Sequence, residues 1–203
     1  MSKVVVLWTG GVDSTGVLYK ILKDFPIDVV AHHIHFKNRE KKRWEAEKDA
    51  IDTMIPWLRK NVREFEYSES TIEMDLKFIG WDVMTAMYMG GIVARDKKCD
   101  RIALGVEKPS SKQIYDHWWR TGMSQLLSIM ASLRHPQKSQ SIPVIWQVMS
   151  LKTKKEIWDS LPEFLKENTW SCRKPTLNGK KDGKWIECGI CKSCEQLIDV
   201  KEV

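Results

Sequence analysis

Val4 to Leu22 reads VVVLWTGGVDSTGVLYKIL, and the turn at its centre decides the fold. An apolar, β-branched run ending at Trp8 meets TGGVDST, after which Val17, Leu18, Ile21 and Leu22 recur at helical spacing. Strand, glycine-bearing turn and helix make a β-turn-α unit. In an open α/β sheet, ligands bind beyond the carboxyl ends of the strands, and the first such turn is a favoured place. Unpaired amides of the first helical turn and the positive end of the helix dipole draw anions there. Gly10 and Gly11 let the backbone approach a ligand without a Cβ in the way, and the hydroxyls of Thr9, Ser14 and Thr15 are expected to reach phosphate oxygens. Asp13 would repel an anion, so its carboxylate is expected to cap the helix, bind Mg2+ or hold a loop. A plain tight turn capped by Asp13 or Ser14 is the alternative. Neither G-x-x-x-x-G-K-[ST] nor G-x-G-x-x-G is present.

Outward from this unit, strand and helix signals alternate. Ile27 to Phe36 reads as a strand, followed by a charged helix with Trp44, Ile51 and Met54 on its inner side and Pro56 near its end or kinking it. Val62 to Tyr67 is expected as a third, short strand. Trp81 to Lys97 reads as a buried helix, in which Gly90 and Gly91 either weaken the helix or admit a close neighbour. Then come a strand at Arg101 to Val106, a helix at Tyr115 to Leu133, a strand at Pro143 to Met149 and a helix at Thr153 to Leu161. Such alternation implies parallel βαβ units, and so a Rossmann-like α/β fold with a parallel sheet. His33 and His35 close the second strand, where buried or edge histidines are the common outcome.

The pattern breaks after residue 168. Cys172, Cys188, Cys191 and Cys194 follow the spacing C-x15-C-x2-C-x2-C, which suits a tetrahedral Zn2+. An iron–sulfur cluster and unligated thiols are the alternatives. With four thiolates the metal is expected to be structural, giving folding free energy to a segment poor in apolar residues. The chain is thus read as a domain over 1–168 with a metal-binding element over 169–203 packed on it. The remaining cysteine, Cys99, sits on an apolar stretch and reads as core.

Composition sets bounds on this reading. At 203 residues, with 42% hydrophobic and 30% charged residues, the chain is globular rather than disordered. No window approaches the roughly 18 apolar residues of a membrane span, and MSKVVVLWTGG carries no cleavable signal pattern, so a cytoplasmic location is expected. The net charge of +6 suits an anionic substrate without establishing a nucleic-acid partner.

TGGVDST resembles the S-G-G-x-D-S-[ST] pyrophosphate loop of the ATP pyrophosphatases, with Thr9 keeping the hydroxyl of the usual serine. Together with TWSC and CGICKSC near the other end, it is similar to the 7-cyano-7-deazaguanine synthases of queuosine-precursor synthesis. Phe36, Asn38 and Arg39 followed by Glu45 and Ala46, Leu104-Gly105-Val106, and Thr153 to Ile157 match further segments of that family in order. Its D-Y-S-G-Y-P-D-C-R-P-E-F segment is replaced here by EKPSSKQIYDHWWR, and Lys37 and Glu40 replace a glycine and a histidine. The resemblance implies an ATP-dependent, C–N bond-forming ligase that converts 7-carboxy-7-deazaguanine and ammonia to the 7-cyano base through an acyl adenylate and an amide. ATP with Mg2+ would bind along Leu7, Trp8, Thr9, Gly10, Gly11, Val12, Asp13, Ser14 and Thr15, with Arg39 on a carboxylate or phosphate. Asp13, Ser14 and Lys154 are the expected catalytic group, and a homodimer is compatible with the architecture. The rivals are a ligase or tRNA-thiolating enzyme of the same fold acting on another substrate, and a zinc-stapled nucleic-acid-binding protein without turnover.

Overall fold

A computed structural model describes residues 2–38, 42–75, 82–105, 144–146, 148–149, 152–175 and 179–201. Five strands, β1 (Lys3–Leu7), β2 (Asp28–Asn38), β3 (Glu66–Met74), β4 (Arg101–Ala103) and β5 (Val144–Trp146), form one sheet in the order β3-β2-β1-β4-β5. Every pairing is parallel. The helices are α1 (Val12–Asp24), α2 (Arg43–Asn61), α3 (Asp82–Asp96), α4 (Lys154–Ser160), α5 (Glu163–Asn168) and α6 (Lys192–Lys201). A small hairpin, β6 (Lys180–Lys181) and β7 (Lys184–Trp185), lies between α5 and α6. The expected parallel α/β architecture is observed. None of the described helices is long and apolar enough to cross a membrane.

Burial explains why the chain is apolar at every position from Val4 to Trp8. Val4, Val6 and Trp8 join a cluster with Val17, Leu18, Ile51 and Met54 from α1 and α2. Val5 and Leu7 point the other way, toward Met87, Val93 and Ala94 of α3. A parallel strand covered on both faces has no solvent side on which to carry polar residues. At Gly90 a Cβ would come within 2.9 Å of Leu7 Cδ1, so the glycine in α3 marks close helix-to-sheet packing. At Gly16 a Cβ would meet Ile157 Cγ2 at 2.4 Å, which is why α1 and α4 pack tightly there.

Two expected boundaries move. The third strand runs from Glu66 to Met74 rather than from Val62 to Tyr67, and Val62 instead follows the last residue of α2, its amide bonded to Leu58 O. Among the described strands β3 lies at the edge and pairs with β2 alone, so its EYSESTIEM sequence carries almost no apolar signal. α2 starts at Arg43 and continues through Pro56 to Asn61. Pro56 lacks the amide that would bond to Asp52 O, but both residues are exposed and water can take that carbonyl. The short helix α5 was not anticipated, and the expected helix at Tyr115 to Leu133 lies outside the described residues.

The strand order places the site. The chain builds β1, β2 and β3 outward to one edge, then crosses back to lay β4 and β5 on the other side of β1. The order therefore reverses between β1 and β4, where the diverging connections leave a crevice at the carboxyl ends of the strands.

Candidate nucleotide site and metal centre

The glycine turn sits at that crevice. Gly10 adopts φ +74°, a left-handed conformation that side chains disfavour, and brings the chain round into α1. Gly11 is extended and precedes the helix, whose first bond runs from Thr15 N to Gly11 O at 2.9 Å. Ser14 Oγ donates to Gly11 O at 3.2 Å and accepts from Thr9 N at 3.1 Å, with Thr9 Oγ1 only 3.0 Å away. Thr9 and Ser14 thus tie the turn to itself and stand together at the cleft.

Trp8 and Thr15 depart from expectation. Trp8 is wholly buried, and its Nε1 donates to Thr15 Oγ1 at 3.0 Å, so both side chains serve the core rather than face a ligand. Val12 is also fully buried. The reason is helical geometry: positions 12 and 15 are three apart, so they share the face that packs on the sheet. His33 is likewise internal. Its Nδ1 donates to Trp8 O at 2.9 Å, fixing the carbonyl that leads into the turn, and burial pushes its pKa down to about 3. His32 lies against Ser68 and Ser70, with burial the main cause of a pKa lowered to about 4, and His35 meets Glu69 at 3.1 Å. The β2 histidines are wall rather than lining.

The cleft over the turn has a volume of about 260 Å³. Leu7, Thr9, Gly11, Asp13 and Ser14 line it from one side, and Leu104 and Gly105 from the end of β4. A Cβ at Gly105 would lie 2.5 Å from Ser14 N, so this strand end abuts the first turn of α1 directly. Lys154, the first residue of α4, places Nζ 3.2 Å from Asp13 Oδ2 and 3.4 Å from Gln196 Oε1. Thr153 holds that helix start in a reciprocal capping box with Glu156. Asp13 Oδ1 is buried and has no hydrogen-bond partner among the described residues. Burial raises the Asp13 pKa, outweighing the opposing attraction of Lys154. Arg39 and Val106 lie outside the described residues.

Other residues of the cleft escaped the sequence reading. Glu47, 4% exposed, is held by Arg43 Nε at 2.6 Å, and both line the cleft. Their i,i+4 spacing on α2 is a readable signal, but charged pairs at that spacing are common on solvated helices. Ser171, Arg173, Ser193 and Gln196 enter from the C-terminal element. Nothing local in the sequence marks them as neighbours of residue 11. A second, wider cavity of about 950 Å³ lies against α2 and α5. Asp49, Asp52, Glu163, Glu167 and Glu187 outnumber Lys166, Lys184 and Lys201 in its lining, a poorer setting for an anionic nucleotide.

Cys172, Cys188, Cys191 and Cys194 converge as their spacing predicts, with all four Sγ atoms within 4.8 Å of one another. The Cys191–Cys194 and Cys188–Cys194 sulfur separations are 3.4 and 3.9 Å. Backbone amides of Lys174 and Cys188 donate to Cys172 Sγ at 3.3 and 3.2 Å, and that of Arg173 to Cys191 Sγ at 3.5 Å. Such bonds stabilise negative charge on sulfur, as ligands to a cation require. Gly189, at φ +71°, makes the turn between Cys188 and Cys191. Trp170 ties the centre to the glycine turn: its Nε1 donates to Cys172 O at 3.0 Å and its backbone amide to Gly10 O at 2.9 Å.

No protein-family model and no curated protein matches the chain. Eleven chains among the solved structures do. One is the U34-tRNA thiolase NcsA from Methanococcus maripaludis with its 4Fe-4S cluster, at a TM-score of 0.57 and 17% identity. The match covers 99% of this chain and 63% of the thiolase, so the chain spans somewhat under two thirds of that structure's length. What the two share at that identity is the fold, and the chain is accordingly a parallel-sheet, Rossmann-like α/β protein with a four-cysteine cluster near its C-terminal end.

Proposed function

We propose that the protein is an ATP-dependent ligase that adenylates a carboxylate in the cleft over the glycine turn and passes the acyl group to ammonia. The observation that carries this reading is the convergence, at the sheet's switch point, of an amide-rich turn, the Lys154 ammonium and an unpartnered Asp13 oxygen. The amides and Lys154 would hold the pyrophosphate portion of ATP. Asp13 Oδ1, a hard oxygen without a hydrogen bond, fits Mg2+, which when bound neutralises charge on the phosphates. Catalysis then rests on positioning and charge stabilisation more than on covalent participation by the protein.

Resemblance of the two chain ends to the 7-cyano-7-deazaguanine synthases supports 7-carboxy-7-deazaguanine as the substrate. Its carboxylate oxygen attacks the α-phosphorus of ATP and pyrophosphate leaves. Ammonia then attacks the acyl carbon, AMP departs with the former carboxylate oxygen, and a proton is released to give the amide. A second ATP adenylates the amide oxygen; loss of AMP and of both N–H protons leaves the nitrile.

Zinc is the metal this reading assigns to the cysteines. A tetrahedral ion about 2.3 Å from each sulfur holds sulfurs about 3.8 Å apart, close to the separations found. A cubane, offering a separate iron to each thiolate, holds them further apart. With four protein ligands no position stays open, so the role is structural. The thiolase fold makes sulfur transfer a second reading, but Cys99, the cysteine outside the cluster, is buried and its thiol is pushed up to about 11 by burial.

The test is to incubate zinc-loaded protein with ATP, Mg2+, ammonium and 7-carboxy-7-deazaguanine, following AMP and the mass of the base. AMP with amide or nitrile is expected. AMP with an unchanged base would retain adenylation and reject this carboxylate. No AMP, with salt-sensitive binding of RNA or DNA instead, would overturn the enzyme reading.

A further inference from the structure

We propose that the four-cysteine element is the second wall of the nucleotide cleft, with Arg173 as its anion-binding cation, so that metal held by the cysteines sets the affinity of the cleft for ATP. This rests on the assignment of the cleft to ATP and goes beyond it, because it makes the metal a partner of nucleotide binding and not only a staple.

Two contacts cross from the element to the turn, and a third reaches Lys154 beside it. Trp170 N donates to Gly10 O at 2.9 Å. Val12 N, an amide of the first helical turn, donates to Ser171 Oγ at 3.5 Å. Gln196 Oε1, on the helix that carries Cys194, accepts from Lys154 Nζ at 3.4 Å. The approach at Gly11 is close enough that an added Cβ would lie 3.4 Å from both Ser171 Oγ and Trp170 O. Trp170 and Ser171 therefore run along the turn as a wall.

Arg173 is the informative side chain. Its neighbour Cys172 is a cluster thiol and its own amide bonds to Cys191 Sγ, so two members of the cluster set its backbone. Arg173 lines the cleft. Among the described residues no carboxylate pairs with it, whereas Arg43 is held by Glu47 and Lys154 by Asp13. An uncommitted guanidinium over an anion-binding turn suits phosphate oxygens or the substrate carboxylate, which it can bind in bidentate fashion.

The coupling follows from what holds this wall in place. Among the described residues from Trp170 to Val200 the buried apolar ones other than cysteines are Trp170, Pro175, Leu197 and Val200, so metal ligation supplies most of the order. If metal orders the wall and the wall binds ATP, linkage requires that ATP in turn retain the metal.

The experiment measures ATP affinity by calorimetry and zinc transfer to a chromophoric chelator with and without ATP, in wild type, Arg173→Ala, Arg173→Lys and Lys154→Ala. Arg173→Ala is expected to keep its zinc and its melting temperature while binding ATP about tenfold more weakly, the loss typical of one charge-assisted hydrogen bond. Arg173→Lys should recover much of that loss, and saturating ATP should slow zinc release from the wild type about fivefold or more. Unchanged ATP affinity in Arg173→Ala, or zinc release indifferent to ATP, overturns the inference; if Lys154→Ala still weakens ATP in that case, the cleft assignment stands. Failure of the zinc-loaded wild type to bind ATP overturns both.

Discussion

The first strand with its turn and the cysteine element face each other across one cleft, yet they are held in opposite ways. Val4, Val5, Val6 and Trp8 have no exposed surface, enclosed by helices on both sides of the sheet. In the element, the hairpin lysines 180, 181 and 184 are exposed, and the buried set is chiefly four thiols around which Trp170 and Ala46 pack. One wall is ordered by apolar burial within the main core, and the other by its sulfur ligands. The two should therefore fail under different insults, and a ligand between them should feel both.

Removing the metal should have the largest effect, since structural zinc sites contribute about 10 kcal/mol or more. Chelation, or Cys172→Ala, is expected to expose the amides of residues 169–201 to hydrogen exchange while β1 and β2 stay protected. Loss of protection in β1 as well would show the two walls to be one cooperative unit. The converse perturbation is Trp8→Ala. Removing that fully buried indole should cost about 3–5 kcal/mol of global stability, read from denaturant unfolding, with the metal content of the native protein unchanged.

Acid provides a third way to separate the walls. His32 and His33 have folded pKa values of about 4 and about 3, below the ordinary 6.5, so the unfolded chain takes up protons that the folded chain does not. The stability these two histidines contribute is therefore complete above about pH 6.5 and falls as pH drops toward the folded values. Between pH 7 and pH 5 the loss should be about 2 kcal/mol for each histidine. Denaturant midpoints at the two pH values would show it, and His33→Gln should remove about half of the dependence. The smallest effect is expected at the mouth of the cleft: Thr153→Ala breaks the capping box at the start of α4, costs about 1 kcal/mol, and should weaken ATP binding through Lys154. An unaltered ATP affinity would mean that Lys154 is positioned by Asp13 and Gln196 without the cap.

What was readable in the chain divides by whether neighbours in sequence or neighbours in space carry the signal. The β1-turn-α1 unit and the C-x15-C-x2-C-x2-C spacing are local patterns, and both lie where expected. β3 is polar because an edge strand need not be apolar, so its nine residues left little trace and its start was placed four residues early. Trp8 and Thr15 were counted with the ligand because they belong to the motif. In space, the indole-to-hydroxyl bond turns the two toward each other and into the core.

The sequence by itself determined the parallel α/β class, the glycine turn at a strand end and the metal-ligating cysteines, because apolar periodicity, glycine placement and ligand spacing are properties of short segments. Only the tertiary structure decided that Ser171, Arg173 and Gln196 line one cleft with that turn, the Val12–Ser171 contact alone joining residues 159 apart along the chain. The physical reason is that the contact is made by a backbone amide, a carbonyl and a hydroxyl. Such groups occur throughout any chain, and they acquire meaning only when the sheet and the cysteines bring them within hydrogen-bonding distance.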